Sequence, residues 1–328
     1  MGSLRVAVIG HVDHGKSSLL GRLLFDSGQV NSEKIKEIGK NFAFFLDNLE
    51  EERVEGMTID VFYARYQSPG YQYTFIDTPG HKEFIKNMLS GASRAEAAVL
   101  LVSATPKEGI QEQTKMHLQL TKLLGINQIA VVINKMDLVE YKKEVFEKIK
   151  NEVSLLLKKI GFKINEAPFI PVSAIEGVNV YQKSEKTPWY QGKSFIGELD
   201  DYFRPSPSLS VLPLRLVIQD VYSFSDGKVI AGKVETGVLT KGSEVIFKPS
   251  GVKSKIKEIR MGEKEKEKTE AGEVIGVVLE NKEEKIGRGE VGGTEESLPS
   301  VCQEFLAQIY LLEKGRVCLL YTSPSPRD

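Results

Sequence analysis

Eight residues near the start of the chain, Gly10-His11-Val12-Asp13-His14-Gly15-Lys16-Ser17, fit the spacing GxxxxGK[ST]. The chemistry open to this pattern is the cradling of a phosphate chain. Its glycines let the backbone curl so that successive N–H groups face one centre, here those of Asp13, His14, Gly15, Lys16, Ser17 and Ser18. Lys16 adds a positive charge for the outer phosphates, and the Ser17 hydroxyl is placed for Mg²⁺. A glycine-rich turn alone would also satisfy the spacing. The context selects between the two. An apolar run at 4–9 reads as a buried strand, and Leu19, Leu20, Leu23 and Leu24 follow at helical spacing.

A second group, Asn134-Lys135-Met136-Asp137, follows the apolar run at 128–133, and Asn134, Lys135 and Asp137 are its candidates for binding guanine. A carboxylate at Asp137 can accept from both N1–H and the 2-amino group of guanine. Adenine offers neither donor there and would leave the carboxylate unpaired, at about 1–3 kcal/mol or more. Ser173-Ala174, after one more strand-like run, can close over the base through backbone N–H. A third group, Asp77-Thr78-Pro79-Gly80-His81, follows the run at 71–76. Asp77 can hold Mg²⁺ through a water, and Thr58 supplies a second hydroxyl for the ion. The Gly80 N–H can reach a γ-phosphate because no side chain blocks it. His81 is the candidate catalytic residue, orienting the attacking water, since phosphoryl transfer rests on positioning and electrostatics. The implied ligands are GTP or GDP with Mg²⁺.

These groups need a scaffold that brings loop after loop to one edge. Strand-like runs at 4–9, 59–66, 71–76, 97–103, 128–133 and 168–172 alternate with helical segments at 16–25, 84–89, 112–124 and 142–160. A helical piece around 33–40 lies inside a long mixed stretch. This alternation predicts an α/β fold, a doubly wound and mostly parallel sheet. A further helix at 194–203 precedes Arg204-Pro205-Ser206-Pro207-Ser208, which reads as the start of a linker. From 213 to 298 short strands alternate with Gly and Pro turns, the texture of an antiparallel β-barrel. The charged run at 263–268 reads as a solvated hairpin tip. The domains expected are 1–204, a linker at 205–212, a barrel at 213–298 and the start of a second barrel at 299–317.

Composition narrows the class. The chain has 328 residues, 41% of them apolar, and a net charge of −1. That length suggests two domains or slightly more, and the charge gives no bulk drive toward nucleic acid or membrane. Cys302 and Cys318 are the two cysteines, and neither sits in a CxxC pair, so a reducing compartment with no disulfide framework is expected. No apolar run is long enough to span a bilayer and no signal peptide is legible, so the cytoplasm is the expected location and no membrane partner is expected.

The motifs GHVDHGKS (10–17), ERVEGMTID (52–60), DTPGH (77–81), NKMD (134–137) and SAI (173–175) resemble, in order, those of the translation-factor superfamily of GTPases. That superfamily includes elongation factor Tu and elongation factor one-alpha. The resemblance covers nearly the whole chain. It implies a G domain followed by two β-barrels, partner-stimulated GTP hydrolysis, and Val12 and Met57 as an apolar gate flanking His81. Val54 and Met57 depart from the ERExGITI form usual in the family. Two branches fit. LDNLEEER (46–53) and TPWYQG (187–192) resemble archaeal elongation factor one-alpha. DGKVIAGKV (226–234), FKPSG (247–251) and AGEVIGVVLE (271–280) resemble the GTPase subunit of sulfate adenylyltransferase, and the His pair of elongation factors is missing near Met261. The expected branch is therefore sulfate activation, with the adenylyltransferase catalytic subunit as partner. The alternative is a carrier whose partners are aminoacyl-tRNA and the ribosome, and a second alternative is a GTP-binding fragment without downstream activity. A nucleotide-exchange factor is a further partner in the first two. The string CLLYTSPSPRD (318–328) matches a translated sequencing adaptor and is set aside as a tail, which leaves the second barrel truncated.

Overall fold

A computed structural model describes residues 2–29, 62–78, 92–93, 95–106, 108–163, 167–205, 209–224, 227–262, 264–280 and 285–304. The chain divides into two compact units, Met1–Ser206 and Pro207–Asp328. The helical pieces expected around 33–40 and 84–89, the part of the second barrel expected beyond 304 and the tail lie outside the described residues.

The first unit is built on a six-stranded sheet. Its strands are β1 (Gly2–Gly10), β2 (Phe62–Gln67), β3 (Tyr71–Asp77), β4 (Ala97–Ser103), β5 (Gln128–Asn134) and β6 (Phe169–Pro171), in the order β2-β3-β1-β4-β5-β6. All neighbours are parallel except β2, which pairs antiparallel with β3 at the edge. The helices are α1 (Lys16–Asp26), α2 (Glu112–Leu123), α3 (Lys143–Ile160) and α4 (Phe195–Tyr202).

Successive side chains of a strand face opposite ways, and both faces here are covered. Val6, Val8, Val99, Leu101 and Val132 pack with Leu19, Leu20 and Leu23 of α1 and with Phe195 and Leu199 of α4. Their alternates Ala7, Ile9, Leu100, Val102 and Ile133 pack with Leu118 of α2 and with Phe146, Val153 and Leu157 of α3. This is why β4 and β5 read as continuous apolar runs and not as alternating ones. The spacing of Phe146, Ile149, Val153 and Leu157 gives α3 one buried stripe. That helix ends at Gly161, whose φ of 96° lets its N–H turn back to Leu157 O, while Lys158 and Lys159 face the dipole's negative end.

The second unit is antiparallel throughout. Its strands are β7 (Arg215–Phe224), β8 (Gly227–Thr236), β9 (Val238–Thr240), β10 (Glu244–Lys248), β11 (Lys253–Met261), β12 (Lys264–Lys266), β13 (Lys268–Glu270), β14 (Val274–Leu279) and β15 (Val291–Gly293). The main sheet runs β10-β15-β7-β8-β14-β11, and β10 also pairs with β11, so six strands form a closed barrel. Leu216, Ile230, Val245, Phe247, Ile256 and Val277 fill it. In β11 the buried positions step from Ser254 and Ile256 to Ile259, a change of phase made by a bulge between Ile256 and Glu258. The charged run at 263–268 is more than a hairpin tip. Lys264–Lys266 forms β12, paired with the end of β11 through Ile259 and Lys266.

Candidate nucleotide site

Strand β1 has β3 on one side and β4 on the other, so the strand order reverses beside it. In open α/β sheets the crevice at the carboxyl end of such a strand is the ligand site. The loop carrying Asp13 to Lys16 occupies that end. Two of its glycines are obligatory for steric reasons. A Cβ on Gly10 would lie 2.6 Å from Leu101 O, and one on Gly15 would lie 2.5 Å from Asn134 Nδ2. Gly15 has φ of 86° and Asp13 φ of 62°, so the backbone twice enters the left-handed region before α1 begins. Helix α1 then starts with Leu19 N–H donating to Gly15 O at 2.9 Å, which leaves the N–H groups before it to a ligand.

Lys16 is buried, and its Nζ donates to Gly10 O at 3.2 Å and His11 O at 3.0 Å. Burial pulls its ammonium below the ordinary lysine range, against the opposing charges of Asp77 and Asp13. Ser17 Oγ donates to Asp77 Oδ2 at 2.7 Å. Thr78 is tied back to β1 through Oγ1 to Val8 O at 2.7 Å. The hydroxyl and carboxylate of Ser17 and Asp77 are hard oxygen donors beside the phosphate loop, the donor chemistry that suits Mg²⁺.

The His14 side chain points inward. Its Nδ1 sits 3.0 Å from Leu101 O, and its ring lies edge-on to His11 at 5.4 Å. Burial lowers its pKa to about 4, so at neutral pH its ring carries no charge.

The Asn134–Asp137 group lies two strands away at the same carboxyl edge, at the end of β5. Asn134 is the joint of the site. Its Nδ2 donates to His14 O at 2.8 Å, and its Oδ1 accepts from Ala174 N–H at 3.0 Å. One buried amide thus spans the phosphate loop, β5 and the segment after β6. Lys135 has φ of 63°, and a 3-10 turn over Met136–Val139 carries Asp137, half-buried. Met136 N–H donates to Val172 O at 3.1 Å, and Ser173 pairs with Val178 through both backbone groups. Val12 is half-buried. Thr58, Gly80, His81 and Met57 lie outside the described residues.

Three participants have no sequence signature. Arg22 Nη1 donates to Ile175 O at 2.6 Å and so supports the 173–177 loop from α1. His117 of α2 is fully buried, with Lys16 and His11 among the charges that act on it and the Gly10 backbone as a hydrogen-bonding neighbour; burial lowers its pKa to about 4. Glu108 is the third. Its Oε2 lies 2.7 Å from Lys135 Nζ. Each reaches the site only because β1, β4 and β5 are neighbours, which no local pattern announces.

Fold and site together define a nucleotide-binding protein of the phosphate-loop class. The elongation factor Tu GTP binding domain family matches residues 2–221. The elongation factor 1-alpha of Methanothermobacter thermautotrophicus is 46% identical over 322 residues, covering 97% of this chain and 77% of that protein. That of Methanosphaera stadtmanae is 44% identical, covering 98% and 78%. Among solved structures, a bacterial selenocysteine-specific elongation factor is similar with a TM-score of 0.54 and 27% identity, over 90% of this chain and 45% of that one. The chain belongs to the elongation factor Tu-type GTPase family. It binds GTP and GDP with Mg²⁺ and hydrolyses GTP to GDP and phosphate. Among the described residues no helix is long and apolar enough to cross a membrane.

Proposed function

We propose that this GTPase is an elongation factor one-alpha-type switch, a carrier that binds aminoacyl-tRNA in its GTP state and releases it on the ribosome after hydrolysis. The observation that carries this reading is identity of 46% and 44% to two elongation factors 1-alpha over 97% and 98% of the chain, the barrel included. Sequence segments of the barrel point instead to sulfate activation, but the two relatives named above carry the translation name, so the translation reading is preferred. The reading sets the protein in the cytoplasm, with a nucleotide-exchange factor as a further partner.

In this reading the N–H groups of Asp13 to Ser18 and the Lys16 ammonium hold the phosphates. Lys16 leaves Gly10 O and His11 O for phosphate oxygens, a favourable exchange for a buried cation. Ser17, Thr58 and, through a water, Asp77 would hold Mg²⁺, whose charge would offset that of the phosphates. Asp137 reads guanine. Lys135 and Ala174 flank the base, and Ser173 fixes the loop. Asn134 acts as a brace, since its amide already has two backbone partners. The Gly80 N–H senses the γ-phosphate, and His81 orients the attacking water, with Val12 and Met57 as the apolar gate that the family resemblance implies.

The reading is tested by aminoacyl-tRNA binding with GTP and with GDP across a salt series. The GTP state is expected to bind at least about tenfold tighter, because a two-state carrier needs differential affinity. Equal binding in the two states overturns it. Stimulated GTP turnover with a sulfate-adenylylating subunit, and none with tRNA and ribosomes, would restore the other branch.

A further inference from the structure

We infer that Glu108 is a positioning residue for guanine: by holding the Lys135 ammonium it stretches the lysine stem into a fixed apolar rail beside the base. The inference rests on the base-site reading above. Lys135 is constrained at both ends. Its backbone sits at φ of 63°, two residues before Asp137. Its Nζ meets Glu108 Oε2 at 2.7 Å, and the two side chains are only 22% and 33% exposed. Four methylene groups therefore run between two fixed points, with the apolar stem available to a ring face.

Glu108 is itself held. Its N–H donates to Thr105 O at 3.2 Å, and its carbonyl accepts Gln111 Nε2 at 2.7 Å. That turn leaves the end of β4, where Ala104 N–H donates to Asn134 O at 2.7 Å. Glu108 and Lys135 thus belong to one hydrogen-bonded edge of the sheet. Burial alone would raise the Glu108 pKa, but hydrogen bonds from Lys135, Ser103 and Thr105 outweigh it and hold the carboxyl below its ordinary value. The group is a carboxylate at neutral pH, as a partner for an ammonium must be.

A free lysine stem loses much rotamer freedom when a ligand packs on it, whereas a stem fixed beforehand loses little. The gain would appear mainly as slower nucleotide release. A wholly exposed ion pair would give no such effect.

The experiment is a double-mutant cycle on release of fluorescently labelled GDP, using wild type, Glu108→Ala, Lys135→Ala and the double variant. Glu108→Ala is expected to speed release roughly fivefold in the wild-type background and less than about 1.5-fold in the Lys135→Ala background. Glu108→Gln, which keeps an acceptor but loses the charge, is expected to fall between wild type and Glu108→Ala. A purely structural role for the 105–109 turn would give the same acceleration in both backgrounds, and that result overturns the inference. So does release by Glu108→Ala within about 1.5-fold of wild type. Asp137→Asn is measured beside them with guanine and xanthine nucleotides. A shift toward xanthine of at least about tenfold supports the base site independently of Glu108. Unchanged guanine preference removes the base-site reading, and the inference falls with it even if the cycle shows coupling.

Discussion

In the first unit β4 is buried at every residue, whereas β11 of the barrel alternates lysines outside with Ser254, Ile256 and Ile259 inside. The parallel sheet carries helices on both faces and keeps its variable chemistry for one carboxyl edge. The barrel covers one face with itself and gives the other to solvent, where pairs such as Lys241–Glu265 and Lys253–Glu295 lie. The difference teaches where chemistry can collect. A sheet with both faces covered has only its edges left for polar groups, so the loops that follow β1, β3, β4, β5 and β6 collect them. A barrel wall spreads its polar groups evenly and concentrates none.

That contrast can be broken in the core first. Phe247→Ala empties a fully buried position of the barrel and is expected to cost about 3–5 kcal/mol in denaturant unfolding. The single tryptophan, Trp189, sits in the first unit, and its fluorescence transition is expected to stay in place. A shift of the Trp189 transition equal to the barrel's would refute separate cores.

Acid gives the next largest effect, confined to the first unit. His14 and His117 are held at about 4 by burial, against an ordinary 6.5. Below pH 6.5 the unfolded chain takes up protons that the folded unit refuses until about pH 4. Stability is therefore fully present above 6.5 and is lost as pH falls through that window. From pH 7 to pH 5 the loss is about 2 kcal/mol per ring. All four histidines, His11, His14, His81 and His117, precede the barrel. The Trp189 transition is expected to move to lower denaturant at pH 5, and a pH-independent midpoint would contradict the assignment. The smallest effect expected is Lys241→Ala, whose exposed partners Glu265 and Glu267 leave no measurable change in barrel unfolding. A clear destabilisation there would show that the barrel wall does concentrate electrostatic energy.

The same contrast explains what could be read from sequence. The phosphate loop, Asn134 to Asp137, Asp77 and Ser173 could be singled out as candidates because the chemistry proposed for them depends on backbone shape and short spacing. The runs that became β1, β3, β4 and β5 were legible because burial on two faces demands uninterrupted apolar residues. Strand β12 was not. Lys264, Glu265 and Lys266 carry no apolar signal, and the strand exists only because β11 offers a pairing edge. Asn134 stands among the guanine candidates by spacing alone, and nothing in that spacing announces the two hydrogen bonds of its amide, to His14 O and from Ala174 N–H. Glu108 and Arg22 were invisible, because each meets the site across a separation in sequence, 27 residues for Glu108 and 153 for Arg22.

Barrel closure also has a consequence in time. Strand β15, at Val291–Gly293, is the last of the six to be made and lies between β10 and β7. A nascent chain that has emerged only as far as β14 holds both neighbours of the missing strand with a row of backbone N–H and C=O groups unsatisfied, an open edge for any passing strand. Strand β1 of the first unit, by contrast, is made first and has both its neighbours by the end of β4. During synthesis the nucleotide unit can complete its central strands early, while the barrel stays adhesive until nearly its last residues leave the ribosome.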